Sequence, residues 1–189
     1  MSEDFPIQNE SELREYFDRH DPLTYAANRL GLEKAFLKIQ EGKCGTGETH
    51  ALFFVDIDHF KESNDLYEFW GGDQILIEVA QRLRSVIPLG GTVGRSGGDQ
   101  FVCLIPTIGF AIDIKVLAER VLDSFTSPFA IVLPTESIEV RHPASLGVVV
   151  WDSPTVELHS LMDNANRALI EAKSQGEGHC VIRELNEGN

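Results

Sequence analysis

The sequence predicts a single α+β domain built around a mixed β-sheet. Its 189 residues, of which 42% are hydrophobic, supply one full core but not two. Segments with helical periodicity alternate with short apolar runs typical of strands. Some of these runs are joined by a glycine turn and others by a helix, so hairpins and helical crossovers occur in one chain. After a short N-terminal arm, the predicted order is helix, strand, helix, strand, strand, helix, strand, strand, helix, strand.

Two helices are predicted before the first strand. A short one falls within residues 1–20, where Asn9 and Glu12 have the spacing of a capping box, and this region is interpreted as an arm or linker. The second begins after the N-cap candidate Asn28 and ends in the glycine-rich stretch 42–47. Its apolar face consists of Leu32, Ala35, Phe36 and Ile39.

The first strand is the apolar run Ala51–Val55, which is typical of a buried central strand. It places Asp56 at the strand's C-terminal edge. The next helix is predicted to open at Asp73, because the apolar residues after it share one helical face. These residues are Ile75, Leu76, Val79, Ala80, Leu83 and Val86.

A β-hairpin is predicted next. The segments Thr92–Arg95 and Phe101–Ile105 resemble strands, and only residues 96–100, with two glycines, separate them. A third amphipathic helix is predicted over residues 111–125.

The C-terminal part is predicted to contain two strands over residues 129–133 and 138–150, the second interrupted near Pro143, and a tail strand over 179–182. A last helix lies between them. It is predicted to begin at Ser153 with Pro154 in the first helical position and to end at Gly176. Its apolar face consists of Leu158, Leu161, Met162, Ala165, Ala168, Leu169 and Ala172.

Composition limits the partners. The formal net charge of −14 predicts repulsion of nucleic acid and of anionic membranes over most of the surface, so neither is expected as a partner. The apolar runs fall far short of the ~20 residues that span a bilayer. The N-terminus lacks the basic start and apolar stretch of a signal peptide, so a cytoplasmic location is expected.

Cysteine and histidine give no metal signature. Cys44, Cys103 and Cys180 have the spacing of neither a disulfide framework nor a zinc site, so reduced thiols are expected. The six histidines are scattered, without a helical His-x-x-x-His pair.

Two acidic residues stand out as candidate ligands. Asp56 ends a buried strand and Asp99 lies at the tip of the glycine hairpin. Carboxylates brought together at a sheet edge hold hard divalent cations against phosphate oxygens. Acids at strand ends and turn tips are also commonly just solvated, and spacing alone leaves both interpretations open.

Six motifs occur in one order over residues 21 to about 183. They are Asp21-Pro-Leu-Thr24 with Asn28-Arg29; Phe53-Phe-Val-Asp-Ile-Asp-His-Phe-Lys-Glu-Ser-Asn-Asp65; Gly72-Asp73; Arg95-Ser-Gly-Gly-Asp-Gln-Phe101; Ser145-Leu-Gly147; and Ala165-Asn-Arg-Ala168 with Ala172-Lys173 and Gly176. Together they resemble the signatures of the GGDEF family of diguanylate cyclases. The resemblance implies a nucleotide-cyclase-like fold, of ferredoxin-like or palm type, with the active site on the glycine hairpin. It sets the expected domain at residues 21–185, between the arm and a tail at 186–189.

The resemblance also implies an activity. Members of the family condense two GTP molecules into cyclic di-GMP, each domain of a head-to-head homodimer presenting one GTP. Asp56, Asp99 and the main-chain carbonyl of Ile57 would hold Mg²⁺ or Mn²⁺. Asp99 and Gln100 on the hairpin, with Lys61, would be the catalytic residues.

The remaining implied roles concern GTP itself. The backbone at His59 and Phe60 would cradle the terminal phosphates. Lys61 and Lys173 would neutralise them, although each lysine is equally well explained as a surface charge.

Guanine would be read by Asn64 and Asp73, because a carboxylate accepts hydrogen bonds from guanine's ring N–H and amino group, a donor pair that adenine lacks. Asp73 is also explained by the macrodipole, which favours an acid in a first helical turn. Gly97 and Gly98 fit either a plain hairpin turn or a close approach of phosphate to the backbone.

The sequence departs from the family pattern in five places. Gln100 replaces a glutamate, so a general-base role there is lost. Glu177 replaces an arginine near the triphosphate and is expected to repel phosphate. Glu68-Phe69 replaces Gly-His between the guanine readers, and Tyr25-Ala26 replaces Gly-Leu in the opening motif. The Arg-x-x-Asp motif of product inhibition is replaced by Pro88-Leu-Gly-Gly91, so that site is expected to be absent.

Three functions compete on these grounds. The first is a diguanylate cyclase. The second is a GTP-binding regulatory module that controls a partner such as a phosphodiesterase domain. The third is a scaffold without nucleotide affinity, against which the retention of Asp56, Asn64, Asp73 and Asp99 argues. The presence of Asp99 favours the cyclase, whereas Gln100 and Glu177 favour a domain that binds GTP without turnover.

Overall fold

The computed structural model describes residues 10–42, 48–108 and 113–185. Its helices are α1 Glu10–Phe17, α2 Arg29–Gly42, α3 Phe60–Val86, α4 Ile114–Asp123 and α5 Leu158–Ser174. Its strands are β1 Thr49–Ile57, β2 Thr92–Gly97, β3 Gln100–Ile108, β4 Phe129–Val132, β5 Ser137–Val140, β6 Ala144–Trp151 and β7 Cys180–Leu185. The predicted α+β class is confirmed, and the predicted element order holds except that two strands, β5 and β6, replace the one predicted before the last helix. The proposed cap Asn9, the stretch 43–47 with Cys44, and the start of the helix predicted over 111–125 lie outside the described residues.

The central sheet has five strands in the order β2-β3-β1-β6-β7. β6 and β7 are parallel, and every other neighbouring pair is antiparallel, so the predicted mixed sheet is confirmed. The segment predicted as one interrupted strand over 138–150 is instead two strands in different sheets. β5 pairs with β4 in a separate two-stranded sheet, and β6 pairs with β1.

Helices cover both faces of the sheet. Side chains alternate along β1, so Phe53 packs in a core with α3 and α4, whereas Phe54 packs in a second core with α2 and α5. β1 is therefore buried on both sides, as its apolar run predicts. No helix among the described residues is long and apolar enough to cross a membrane.

α2 begins where the sequence predicts. The Asn28 side chain accepts a hydrogen bond from the backbone N–H of Gly31 at 3.0 Å, as an N-cap does.

α3 differs from the prediction. It begins at Phe60 rather than at Asp73, and His59 before it has the left-handed φ of 60°. Gly71 and Gly72, just before the predicted start, are buried inside the helix instead of preceding it. Asp73 lies in mid-helix, so the macrodipole explanation of this acid is wrong.

The first half of α3 bends back toward its second half. In a straight helix, residues 64 and 72 are about 12 Å apart along the axis. In α3, however, the Asn64 side chain reaches Gly72: a Cβ built on Gly72 would lie 2.2 Å from Asn64 Oδ1 and 3.2 Å from Phe60 Cζ. The axis therefore bends between Asn64 and Gly72.

α5 starts at Leu158, later than the predicted Ser153. The Gln40 side chain donates hydrogen bonds to the carbonyls of Pro154 and Val156, which holds this segment against α2 and delays the helix. The predicted end is confirmed, since Gly176 has a φ of 122° just beyond the helix.

Candidate functional site

Asp56 is the centre of the site. It lies near the end of β1 and is paired in register with Gln100, the first residue of β3. Gln100 Nε2 donates to Asp56 Oδ2 at 3.2 Å, and the Lys173 ammonium donates to Asp56 Oδ1. The Asp56 side chain is only 11% exposed. Both of its oxygens are therefore held by donors from other elements rather than by solvent.

The hairpin presents Asp99 beside this carboxylate. Gly97 and Gly98 have φ values of 144° and 56°, and a Cβ on either would meet no atom within 4 Å. The turn therefore requires glycine because of its positive φ values. A side chain at either position would not collide with the rest of the domain.

The Arg95 side chain holds the hairpin tip against Asp21. The Arg95 guanidinium donates to the Gly98 carbonyl at 2.7 and 3.0 Å and forms an ion pair with Asp21 at 3.2 Å. Burial opposes the charged form of Asp21, but hydrogen bonds from Thr24 and the charge of Arg95 lower its pKa. The Asp21 carboxyl is thus ionised at neutral pH.

Asp99 and Asp56 repel each other. The pKa of Asp99 is raised, first because burial disfavours its charge and second because of the nearby Asp56 carboxylate; Lys173 and Arg95 partly offset this. Such a pair suits a divalent cation, which relieves the repulsion. Among the described residues no group of three or more His, Cys, Asp or Glu could hold a metal. The predicted ligand set has two carboxylates and the carbonyl of Ile57, so it stays a prediction.

Lys173 projects from the last turn of α5 into the site. It is ion-paired with Asp56 and lies 3.4 Å from Asp58 Oδ1. Burial favours the neutral amine, but the hydrogen bond and charge of Asp56, with those of Asp58, outweigh it and raise the pKa of Lys173. Lys173 is therefore a paired cation, whereas Lys61 is exposed in the first turn of α3.

Asp58 is a site residue that the sequence analysis missed. Its Oδ2 accepts hydrogen bonds from Ser145 Oγ at 2.8 Å and from the Gly178 N–H at 3.0 Å. Its main-chain carbonyl lies 3.0 Å from His142 Nδ1. The available signal was the Asp-Ile-Asp spacing, which puts Asp58 on the same face as Asp56. Asp58 joins β1, β6 and the turn after α5.

The turn at His59 and Phe60, here called the phosphate loop, contacts two acidic side chains. His59 Nδ1 lies 2.9 Å from Glu62 Oε1, and His59 Nε2 lies 2.7 Å from Glu177 Oε1. The hydrogen bonds to Glu62 and then Glu177 raise the pKa of the His59 imidazole. Glu177 lies between Gly176 and Gly178, both with positive φ, in the turn before β7. That tight turn brings an acid to the N-terminus of α3.

The two predicted guanine readers come together through the bend of α3. Asn64, which is half-buried, lies against Gly72, and exposed Asp73 is the next residue. Glu68 and Phe69 replace the family's Gly-His between these two residues. Their side chains lie outside what the structure describes.

The segment Pro88–Gly91 forms the lip of an open groove that also contains Tyr25 and Arg84. Leu89 is fully exposed there, and Tyr25 has a positive φ of 56°.

Comparison with known proteins gives the family. The family described as "Diguanylate cyclase, GGDEF domain" matches residues 18–179. The bifunctional diguanylate cyclase/cyclic di-GMP phosphodiesterase MucR of Pseudomonas aeruginosa is 35% identical over 90% of this chain, which spans 24% of MucR. The cyclic di-GMP phosphodiesterase NbdA of the same organism is 30% identical over 86% of this chain, which spans 20% of NbdA.

A solved structure agrees. The GGDEF domain of TpbB from Pseudomonas aeruginosa superimposes with a TM-score of 0.78 at 28% identity, covering 88% of this chain and 95% of that domain. The family match, extending over most of the chain, and the shared fold lead to one conclusion: this chain belongs to the GGDEF domain family.

Proposed function

We propose that this domain is a diguanylate cyclase, which converts two GTP molecules into cyclic di-GMP and two pyrophosphates. The proposal is carried by Asp56, which pairs with Gln100 of the hairpin and with the Lys173 ammonium, and by the neighbouring hairpin residue Asp99, whose pKa the Asp56 charge helps to raise. A pair of acids at the edge of a sheet suits a cation and a phosphate chain, whereas an isolated solvated acid does not.

The metal-binding residues would be Asp56, Asp99 and the carbonyl of Ile57. A bound Mg²⁺ or Mn²⁺ supplies charge stabilisation at the transferring phosphoryl group.

The residues of the chain itself bind and orient GTP. The backbone of His59 and Phe60 at the start of α3 would receive the terminal phosphates, since a helix N-terminus favours anions. Lys61 and Lys173 would neutralise them, and the raised pKa of Lys173 keeps its amine protonated. Gly97 and Gly98 leave the hairpin backbone uncovered toward the substrate.

Guanine would be held by residues farther along α3. Asn64 and Asp73 flank Gly72 in bent α3, and they match guanine's donors and acceptor better than those of adenine.

Bond formation requires two domains, because each presents one GTP. The 3′-oxygen of one GTP attacks the α-phosphorus of the other, the bond to pyrophosphate breaks, and the proton of the 3′-hydroxyl passes to solvent water; a second identical step closes the ring. The Gln100 amide cannot accept that proton. Gln100 instead acts through its hydrogen bond to Asp56.

The test is incubation of the purified domain with GTP and Mg²⁺, followed by chromatography for cyclic di-GMP. The rate per domain should rise with protein concentration, because the active species is a homodimer. Asp99→Asn is the matched control and should give no product. The proposal fails if neither the natural domain nor Gln100→Glu forms product at concentrations that support dimers.

A second candidate is a GTP-binding regulatory module that controls a partner such as a phosphodiesterase domain. The Gln100 amide favours it, because a neutral amide at the hairpin cannot accept the 3′-hydroxyl proton, so that GTP could be bound without being turned over. The similarity to NbdA, a cyclic di-GMP phosphodiesterase, suggests the kind of partner domain. Tight Mg²⁺-dependent GTP binding without product in both the natural domain and Gln100→Glu would establish it.

A further inference from the structure

Gly72 occupies the inner side of the bend in α3. A side chain there would meet Asn64 Oδ1 at 2.2 Å, Asn64 Cγ at 3.2 Å and Phe60 Cζ at 3.2 Å. The first distance is well inside van der Waals contact. Since Gly72 is buried and Asn64 is eight residues earlier in the same helix, this crowding exists only because the helix bends.

The Asn64 amide is the group that would yield to a methyl group at position 72. The Gly72 backbone is fixed within a buried helical segment, and the Phe60 ring packs against the core formed with α3 and α4. Asn64, in contrast, is half-buried and ends in an amide that rotates about two side-chain torsions. A methyl group would therefore turn the amide away while the fold persists.

We propose that Gly72 is a positioning residue for guanine recognition, leaving the space in which the Asn64 amide stands beside Asp73. This inference rests on the proposed function, specifically on Asn64 as a guanine reader. It assigns to Gly72 a role beyond helix packing, because it predicts a loss of base selectivity and not only of stability.

The prediction for Gly72→Ala is selective. GTP affinity should fall by roughly five- to a hundredfold, the cost of leaving a base hydrogen bond unmade. ATP affinity should change little, because adenine lacks the donor pair that Asn64 and Asp73 would read. The preference for GTP over ATP is therefore the quantity to measure, by calorimetry with Mg²⁺ present.

A double-mutant cycle separates positioning from packing. In the Asn64→Ala background, Gly72→Ala should cause no further loss of GTP preference, since the amide that it displaces is gone. Gly42→Ala in α2 is the matched control, because a Cβ there meets no atom within 4 Å. It should bind GTP like the natural domain.

Four outcomes would each contradict the positioning role. Equal losses for GTP and ATP, or a further loss in the Asn64→Ala background, would overturn the positioning role. An unchanged preference in Gly72→Ala, with a clear preference in the natural domain, would also overturn it while leaving the proposed function intact. No guanine preference in the natural domain would instead refute the guanine site of the proposed function and this inference with it.

Folding supplies a second readout. If Gly72→Ala alone is unfolded, the double variant should recover the fold, because Asn64→Ala removes the colliding atoms. Failure of the double variant to fold as well would contradict the inference.

Discussion

The His59 imidazole touches the Glu177 carboxylate, with Nε2 and Oε1 2.7 Å apart, and this contact joins the start of α3 to the turn before β7. Both side chains are about half exposed. An anionic group thus stands beside the backbone that would receive the terminal phosphates of GTP.

Glu177→Gln should therefore tighten binding of Mg²⁺-GTP. The exposed position limits the gain to a few-fold, which should shrink as salt screens the charge. Calorimetry at low and high salt measures it. GMP, which lacks the terminal phosphates, should show little change.

Glu171→Gln is the control for net charge alone, since Glu171 pairs with Arg183 rather than with the phosphate loop. An equal gain in that variant would show that Glu177 acts only through the overall charge.

Asp99→Asn should abolish turnover and yet stabilise the metal-free domain. An amide is a poorer magnesium ligand than a carboxylate, so turnover should fall more than about 100-fold. The pKa of Asp99 is raised by folding, so its ionisation destabilises the fold as the pH rises through the native pKa.

The stabilisation by Asp99→Asn should accordingly be present at neutral pH and vanish below the ordinary carboxyl pKa of about 3.9, where Asp99 is protonated in both states. Thermal unfolding across this range, with chelator present, checks the sign. A natural domain more stable than the variant at pH 7 would contradict the repulsion between Asp56 and Asp99.

Gln100→Glu should raise turnover with little change in GTP affinity, the pattern of an interaction gained mainly in the transition state. It should also lower the melting temperature of the metal-free domain, because the hydrogen bond to Asp56 is replaced by a third carboxylate. Gln100→Ala, which loses the same bond without gaining a charge, is the control and should not raise turnover. Equal rates in both variants would refute a role for the carboxylate.

Asp58→Asn should destabilise the fold by about 1–3 kcal/mol, since the buried carboxylate accepts two hydrogen bonds and faces Lys173. Denaturant titration measures this loss. Ser145→Ala removes only one of those bonds and should cost less. A stability equal to that of the natural domain would show that Asp58 does not organise the site.

Removal of metal should prevent GTP binding. The chain carries a net charge of −14, and the charge of Asp56 already raises the pKa of the neighbouring Asp99, so a third anionic group at this site would meet repulsion without a cation. Excess chelator should therefore weaken GTP binding beyond detection in a titration that shows saturation with Mg²⁺. Tight binding in chelator would refute the metal requirement.

The sequence was sufficient to predict what depends on neighbours along the chain. The apolar run before Asp56 and the glycine turn before Asp99 each define a local element, and strand pairing then brings Asp56 opposite Gln100. Asp58 could not be predicted in this way, because its partners Ser145 and Gly178 are 87 and 120 residues away.

The course of α3 was likewise beyond sequence periodicity. Two glycines in succession usually interrupt a helix. Here Gly72 is accommodated because a bend, fixed by packing of Phe60 and Asn64, needs a residue without a side chain. Only the tertiary arrangement reveals that need.

The Arg95 guanidinium links two parts of the chain mechanically, since it binds the Gly98 carbonyl at the hairpin tip and the Asp21 carboxylate at the same time. Asp21 lies four residues after the end of α1. The segment that follows α1 and the tip that carries Asp99 therefore share an anchor at Arg95, beside the backbone hydrogen bonds that join Ala27 to Val93 and Arg95 in β2, and a displacement of either end is transmitted to the other. Strain applied to the arm would reach the hairpin without passing through the hydrophobic core.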